Sequence, residues 1–69
     1  MEITNKEEFK TINWVIEHDG NEYGVTMVEN YILDDWRVLD FESGEEIPGG
    51  NDLWRELVAF CQTDLENGK

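Results

Sequence analysis

The stretch TINWVIEHDGNEYGVTMVEN, residues 11–30, decides the fold, because apolar and polar side chains alternate on both sides of a turn signal. In its first half, Ile12, Trp14 and Ile16 fall on one face of an extended chain. Residues 19–21, Asp-Gly-Asn, then supply the residue types that tolerate a positive φ, and the alternation resumes after them. The stretch therefore predicts a β-hairpin.

A second periodic pattern lies near the C-terminus, where apolar residues recur at a spacing of three and four. Asn51 or Asp52 can cap a helix at the start of this segment. The apolar positions are Leu53, Trp54, Leu57, Val58, Cys61 and Leu65. This spacing predicts an amphipathic helix with one face directed at a core.

The segment between the hairpin and the helix predicts further strands joined by turns. Asp34 and Asp35 interrupt an aromatic and aliphatic run, which indicates a turn followed by a third strand over residues 36–42. Gly44 suits a left-handed turn position, and residues 45–47 can return as a short fourth strand.

The N-terminal residues predict a short helix, because Thr4 followed by Glu7 fits a capping box. One or two turns over residues 5–10 would direct Phe9 inward. Taken together, the patterns predict a single α+β domain over residues 1–69. Its architecture is an antiparallel β-meander of three to four strands with a C-terminal amphipathic helix packed on one face, preceded by the short N-terminal helix.

The charge balance is the most unusual feature of the composition. Seventeen Asp and Glu against five Lys and Arg give the 69 residues a formal net charge of -12 at pH 7. Direct binding to nucleic acid or to an anionic membrane is excluded, because the few cations are scattered among carboxylates. Two interpretations of the charge remain open: it serves solubility alone, or it forms a functional acidic face.

Location and redox state are predicted from the ends of the chain and from its single cysteine. No segment has the roughly 20 apolar residues of a membrane span, and the first residues lack the features of a signal peptide. Cys61 has no partner for a disulfide, which is typical of a reduced, buried thiol. We expect a protein of the cytoplasm, or of the host cytoplasm if it is phage-encoded.

The residue types needed for catalysis are present but not in catalytic patterns. His18 lies at a strand end beside Asp19, where a histidine is usually structural, and Cys61 lies on the apolar stripe of the helix. The spacing of a calcium-binding EF-hand loop is absent, and Gly49 and Gly50 lack the lysine of a phosphate-binding loop. The sequence therefore predicts no enzyme, no cofactor and no metal site.

Carboxylates cluster at the predicted turns, which project into solvent. Because alternate turns of a meander fall at the same end of the sheet, Asp19 and the cluster at residues 42–46 should share one end. Asp34 and Asp35 should lie at the other. Asp40 and Glu42 would form a row along the third strand, about 6.7 Å apart, which is on the scale of neighbouring phosphates.

These observations give the hypothesis of an inhibitor that imitates nucleic-acid charge and occupies the basic groove of a nucleic-acid-handling protein. Tyr31 and Trp36 are candidate anchors, with a place in the core as the alternative for both. The predicted partner-binding residues are Asp19, Glu22, Tyr31, Asp34, Asp35, Trp36, Asp40, Glu42, Glu45 and Glu46.

In size, charge and predicted topology the chain is similar to small phage-encoded inhibitors of restriction, CRISPR or repair enzymes. The similarity is one of overall character and transfers no residues. The alternative hypothesis is a non-enzymatic interaction module, monomeric or homodimeric, that associates through its C-terminal helix or a sheet edge. It depends on whether Leu53, Trp54 and Phe60 leave apolar surface exposed.

Overall fold

The computed structural model describes residues 1–28 and 35–68. This part of the chain forms one antiparallel sheet of five strands in the order β1-β2-β3-β4-β5, followed by one helix, α1. The elements are β1 (Glu2–Glu8), β2 (Thr11–His18), β3 (Asn21–Val28), β4 (Asp35–Asp40), β5 (Glu46–Ile47) and α1 (Asp52–Asn67). The predicted α+β class is confirmed, with a meander of five strands where the sequence predicted three to four.

The predicted hairpin is formed by β2 and β3, which pair along their whole length. Its two-residue turn consists of Asp19, with φ 52°, and Gly20, with φ 81°. Positive φ at both central residues is what a type I′ turn requires, and this turn matches the twist of the strands it joins. The turn fixes the pairing of His18 with Asn21, and therefore which side chains share a face.

The core lies between one face of the sheet and α1, and it combines residues of the two predicted periodic patterns with Val38 of β4. Trp14, Ile16, Val25 and Val38 on the sheet meet Leu57 on the helix, each at most 1% exposed. Half-buried apolar residues surround this centre: Ile3, Ile12, Trp36, Ile47, Leu53, Trp54, Phe60 and Leu65.

The helix α1 begins as predicted, with Asn51 as its N-cap. The Asn51 side chain accepts a hydrogen bond from the backbone N–H of Leu53 at 2.9 Å, which satisfies one of the free donors of the first turn. Leu57, Val58 and Cys61 are buried against the sheet. Within residues 1–28 and 35–68 no helix is long and apolar enough to cross a membrane.

The predicted N-terminal helix is wrong, because the first residues form the edge strand β1, antiparallel to β2. The register shifts between Ile3 and Asn5, which leaves Thr4 as an extra residue in the strand. This bulge places Ile3 and Lys6 on the same face although they are three positions apart, a spacing that imitates a helix. Phe9 is 93% exposed, so it does not turn into the core.

The remaining predicted strands are present, but the third begins and ends at other residues than the sequence predicted. The third predicted strand corresponds to β4, which begins at Asp35 and ends at Asp40. Gly44 has φ 74°, which confirms the left-handed position, and β5 follows at once. The predicted turn at Asp34 and Asp35 lies partly outside the described residues, and Asp35 itself pairs with Val28 in the sheet.

A polar junction joins β1 to the last turns of α1. One oxygen of Asp64, Oδ2, accepts hydrogen bonds from Lys6 Nζ at 2.7 Å and from Trp14 Nε1 at 3.0 Å. The Lys6 ammonium also lies 2.9 Å from Glu8 and 5.7 Å from the centre of the Trp14 ring. Both hydrogen bonds hold the pKa of the Asp64 carboxyl below its usual value, with that from Lys6 the stronger cause.

Candidate functional site

The side of the sheet that faces away from α1, called here the open face, has no helix or strand of the described chain packed over it. Strand alternation places Asn13, Val15 and Glu17 of β2 on this face, because Trp14 and Ile16 point into the core. The open face is therefore the largest surface on which several strands present side chains together.

Three glutamates stand directly opposite one another across the open face. Glu2 pairs with Glu17, and Glu17 pairs with Glu22, so that β1, β2 and β3 each contribute one carboxylate. Directly opposite residues have their Cβ atoms about 5 Å apart, a distance at which like charges destabilise a sheet. These three residues, called here the carboxylate row, are all exposed.

The carboxylate row is not balanced by cations. The ion pairs of the described residues lie elsewhere: Lys6 pairs with Glu8 and Asp64, and Arg37 approaches Asp35 and Glu46. Within 1–28 and 35–68, no Lys, Arg or His forms an ion pair with a member of the row. The three carboxylates of the row therefore produce a concentrated negative field, which is screened by solvent and salt.

An apolar patch borders the carboxylate row on the open face. It consists of Val15, Leu39 and the ring of Phe41, of which Leu39 is 39% and Phe41 45% exposed. Val15 and Leu39 both pair with Gly24, and the Phe41 ring lies on that glycine. A Cβ on Gly24 would come within 2.6 Å of the ring, so glycine is what allows the ring to lie against the backbone.

The prediction that Asp19 and the acidic cluster at residues 42–46 share one end of the sheet is confirmed. The end of β4 lies beside the start of β3, because Tyr23 pairs with Asp40 and the N–H of Phe41 donates to the Glu22 carbonyl at 3.1 Å. Asp35 lies at the opposite end. Among the predicted residues, Asp19, Glu22, Glu42 and Glu45 are thus brought to the end that holds the carboxylate row.

Two predicted residues are partly neutralised. Asp35 Oδ2 lies 3.5 Å from Arg37 Nε, and Glu46 Oε1 lies 3.9 Å from Arg37 Nη1. All three side chains are mostly exposed, so these pairs add little to stability. They nevertheless reduce the negative field around Asp35 and Glu46 relative to that at the carboxylate row.

The predicted row of Asp40 and Glu42 along a strand is wrong. The strand β4 ends at Asp40, and Glu42 lies in the turn that follows. The Asp40 carboxylate accepts the backbone N–H of Glu42 at 2.9 Å and that of Ser43 at 3.4 Å. An aspartate that bonds the backbone two residues ahead closes a turn, so Asp40 stabilises the chain reversal.

Of the two predicted aromatic anchors, Trp36 is described by the structure and does not lie on the open face. Trp36 lies on the face covered by α1, where it stacks on the buried Trp14 with ring centres 5.7 Å apart and planes 15° apart. This contact accounts for Trp36 as part of the core rim. Tyr31 and Asp34 lie outside the described residues.

Sequence reasoning missed Glu2 and Glu17. The pairing of Glu17 with Glu22 follows from counting outward from the two-residue turn at Asp19 and Gly20. The predicted hairpin was therefore sufficient to place Glu17 opposite Glu22. Glu2 could not be placed in this way, because the pattern around it predicted a helix.

The single cysteine and the single histidine of the sequence lie in different surroundings. Cys61 is free and fully buried, and burial is the main reason that the pKa of its thiol is raised to about 12. The His18 ring lies 3.5 Å from Asp19 and 3.9 Å from Glu56. Across 1–28 and 35–68, no three His, Cys, Asp or Glu side chains converge as ligands for a metal ion.

The uncompensated charge gives a first prediction, on salt. Raising the NaCl concentration from about 20 mM to about 500 mM shortens the Debye length from roughly 20 Å to roughly 4 Å and should raise the free energy of unfolding by about 1 kcal/mol. Urea unfolding followed by tryptophan fluorescence measures this, since urea leaves the ionic strength unchanged. An unfolding midpoint that stays constant or falls would show that the carboxylates do not repel one another appreciably.

No protein-family model, no curated protein and no solved structure matches this chain.

Proposed function

We propose that this chain is a small acidic inhibitor that presents carboxylates where a nucleic acid presents phosphates. It thereby occupies the basic groove of a nucleic-acid-handling protein. The observation that supports this proposal is the carboxylate row: Glu2, Glu17 and Glu22 stand in register on three strands, without a cation paired to them in the described part of the chain. The kind of partner that such a row attracts is a cluster of Lys and Arg.

The spacing of the row suits this role. Neighbouring strands lie about 4.8 Å apart, so the three carboxylates of the row follow one another across the sheet at about this interval. Their backbone register on three paired strands makes the row a short, ordered array of negative charge. A basic groove that binds a nucleic acid meets in this array charges of the same sign as phosphates and of a similar density.

The energetics point in the same direction. A 69-residue domain has a thin stability margin, and opposite like charges reduce it further. A partner that brings cations to the row removes this repulsion on binding. The array therefore contributes to affinity and to the rate of association, although it weakens the free protein.

Removing the charge of Glu17 and Glu22 should separate these two effects. The double change Glu17→Gln and Glu22→Gln should raise the free energy of unfolding by about 0.5 to 1 kcal/mol, because it removes a directly opposed pair. The same change should slow association with a basic partner about tenfold at low salt. Urea unfolding and stopped-flow binding measure the two quantities.

The direct test of the function is competition. Purified basic nucleic-acid-binding proteins are loaded with fluorescent DNA or RNA at low salt, and the chain is titrated in. We expect displacement that weakens with added salt and weakens further in the double variant. The matched control is Glu56→Gln with Glu66→Gln, which removes two charges from the exposed side of α1. Equal loss in both double variants, or no displacement by the wild type, would contradict the proposal.

The hypothesis of association through the helix has no specific observation in its favour. Leu53, Trp54 and Phe60, on which it depended, are half-buried against the core. The exposed large apolar side chains of the described residues are Met1, Phe9, Leu39 and Phe41, of which Leu39 and Phe41 lie together on the open face.

A further inference from the structure

An aromatic ring lies beside a carboxylate on the open face. The backbone N–H of Phe41 donates to the carbonyl of Glu22, and the Phe41 ring lies on Gly24, the next residue of β3 on the same face. Residues two apart on a strand are separated by about 6.7 Å. The outer surface of the ring, part of a side chain 45% exposed, is therefore presented close to the Glu22 carboxylate.

The apolar patch extends this combination along the sheet. Leu39 and Val15 flank Gly24 on either side, so the ring is continued by aliphatic surface. The carboxylate row runs along one border of the patch. The open face thus presents negative charge and apolar surface side by side.

This combination distinguishes two forms of nucleic acid. A duplex presents its phosphates outward and stacks its bases inside, so that proteins reach only base edges in the grooves. A single strand presents the flat faces of its bases next to its phosphates, and proteins that bind it place aromatic side chains among Lys and Arg. An apolar patch beside carboxylates resembles the exposed bases and phosphates of a single strand.

We infer, on the basis of the proposed function, that the partner of the open face is a protein surface that binds single-stranded nucleic acid. Its aromatic side chains, which stack on unpaired bases, pack on the patch formed by Val15, Leu39 and Phe41. Its Lys and Arg meet the carboxylate row.

The inference is tested with two sets of purified probes. The first contains single-strand-binding proteins of the OB-fold class on fluorescent oligothymidylate. The second contains helix-turn-helix repressors on fluorescent operator duplexes. At low salt we expect the chain to displace the single strand at a concentration at least tenfold below that needed to displace the duplex.

Variants then locate the contact. Phe41→Ala and Leu39→Ala should each weaken displacement of the single strand about tenfold, because each removes a side chain on which the partner's aromatic residues pack. The matched control is Phe9→Ala, which removes an aromatic ring that is 93% exposed at the turn between β1 and β2, at the other end of the sheet. It should leave displacement unchanged. Circular dichroism confirms that each variant is folded.

The outcomes separate this inference from the proposed function. Displacement of duplexes alone, or displacement of single strands that neither patch variant weakens, overturns the inference and leaves charge imitation standing. Failure to displace either nucleic acid at low salt overturns both.

Discussion

Asp64→Ala is expected to lower the free energy of unfolding by about 3 kcal/mol, a large share of the roughly 3 to 10 kcal/mol that a domain of this length has. The change leaves the Nε1–H of Trp14 without its acceptor although Trp14 is 1% exposed. It also leaves the Lys6 ammonium, whose side chain is 26% exposed, without its shortest ion pair. Urea unfolding at constant ionic strength measures the loss.

Two other variants test which contact matters. Asp64→Asn keeps an acceptor for Trp14 but removes the charge, so it should lose about half as much. Glu8→Gln removes the other carboxylate on Lys6, which is 59% exposed, and should change stability by less than about 0.5 kcal/mol. If Glu8→Gln lowered the free energy of unfolding as much as Asp64→Ala, the exposed ion pair of Lys6 with Glu8 would contribute as much to stability as the contacts of Asp64.

The same junction has a pH dependence with a definite sign. Because the pKa of Asp64 is lowered in the folded protein, its contribution is present above the ordinary value of 3.8 and is lost as the pH falls through the folded value. Hydrogen bonds to Asp64 and Glu8 raise the pKa of Lys6, so its contribution is present below 10.5 and is lost at higher pH. In Asp64→Asn, the acid loss at this position should be absent.

Leu57→Ala is expected to lower the free energy of unfolding by about 3 kcal/mol as well, but by a different mechanism. Leu57 is fully buried where α1 meets the sheet, so truncation removes apolar contacts and leaves a cavity. Alanine favours helix, so the loss cannot be attributed to helix propensity. Urea unfolding with near-ultraviolet circular dichroism of the Trp14 and Trp36 stack measures both stability and packing.

The matched control is Gln62→Ala, a truncation on the exposed side of the same helix. It should change stability by less than about 0.5 kcal/mol. Equal effects of the two truncations would mean that α1 is not anchored through Leu57.

Much of the fold could be predicted because the patterns were local. The alternation around Asp19 and Gly20 contains the whole of the central hairpin, and Asn51 marks the start of α1. The first strand could not be predicted in this way. Its bulge at Thr4 shifts the alternation by one residue, so the side chains of its core face do not recur at every second position.

The candidate site was predicted less completely, for a related reason. Turn carboxylates such as Asp19 and Glu42 are visible as clusters in the sequence, and their shared end follows from the meander. A row that crosses strands is not visible as a cluster, since Glu2, Glu17 and Glu22 are far apart in the chain. Phe41 joins the site only because Gly24 leaves room for its ring.

The bond between Lys6 and Asp64 connects residues 58 positions apart. During synthesis on a ribosome, the hairpins of the meander can pair while the chain is still growing, since their contacts are short in sequence. The ammonium group of Lys6, in contrast, can meet Asp64 only after the last turns of the helix have been made. The contact that ties the edge strand to the helix is therefore formed later in synthesis than the pairing of the strands.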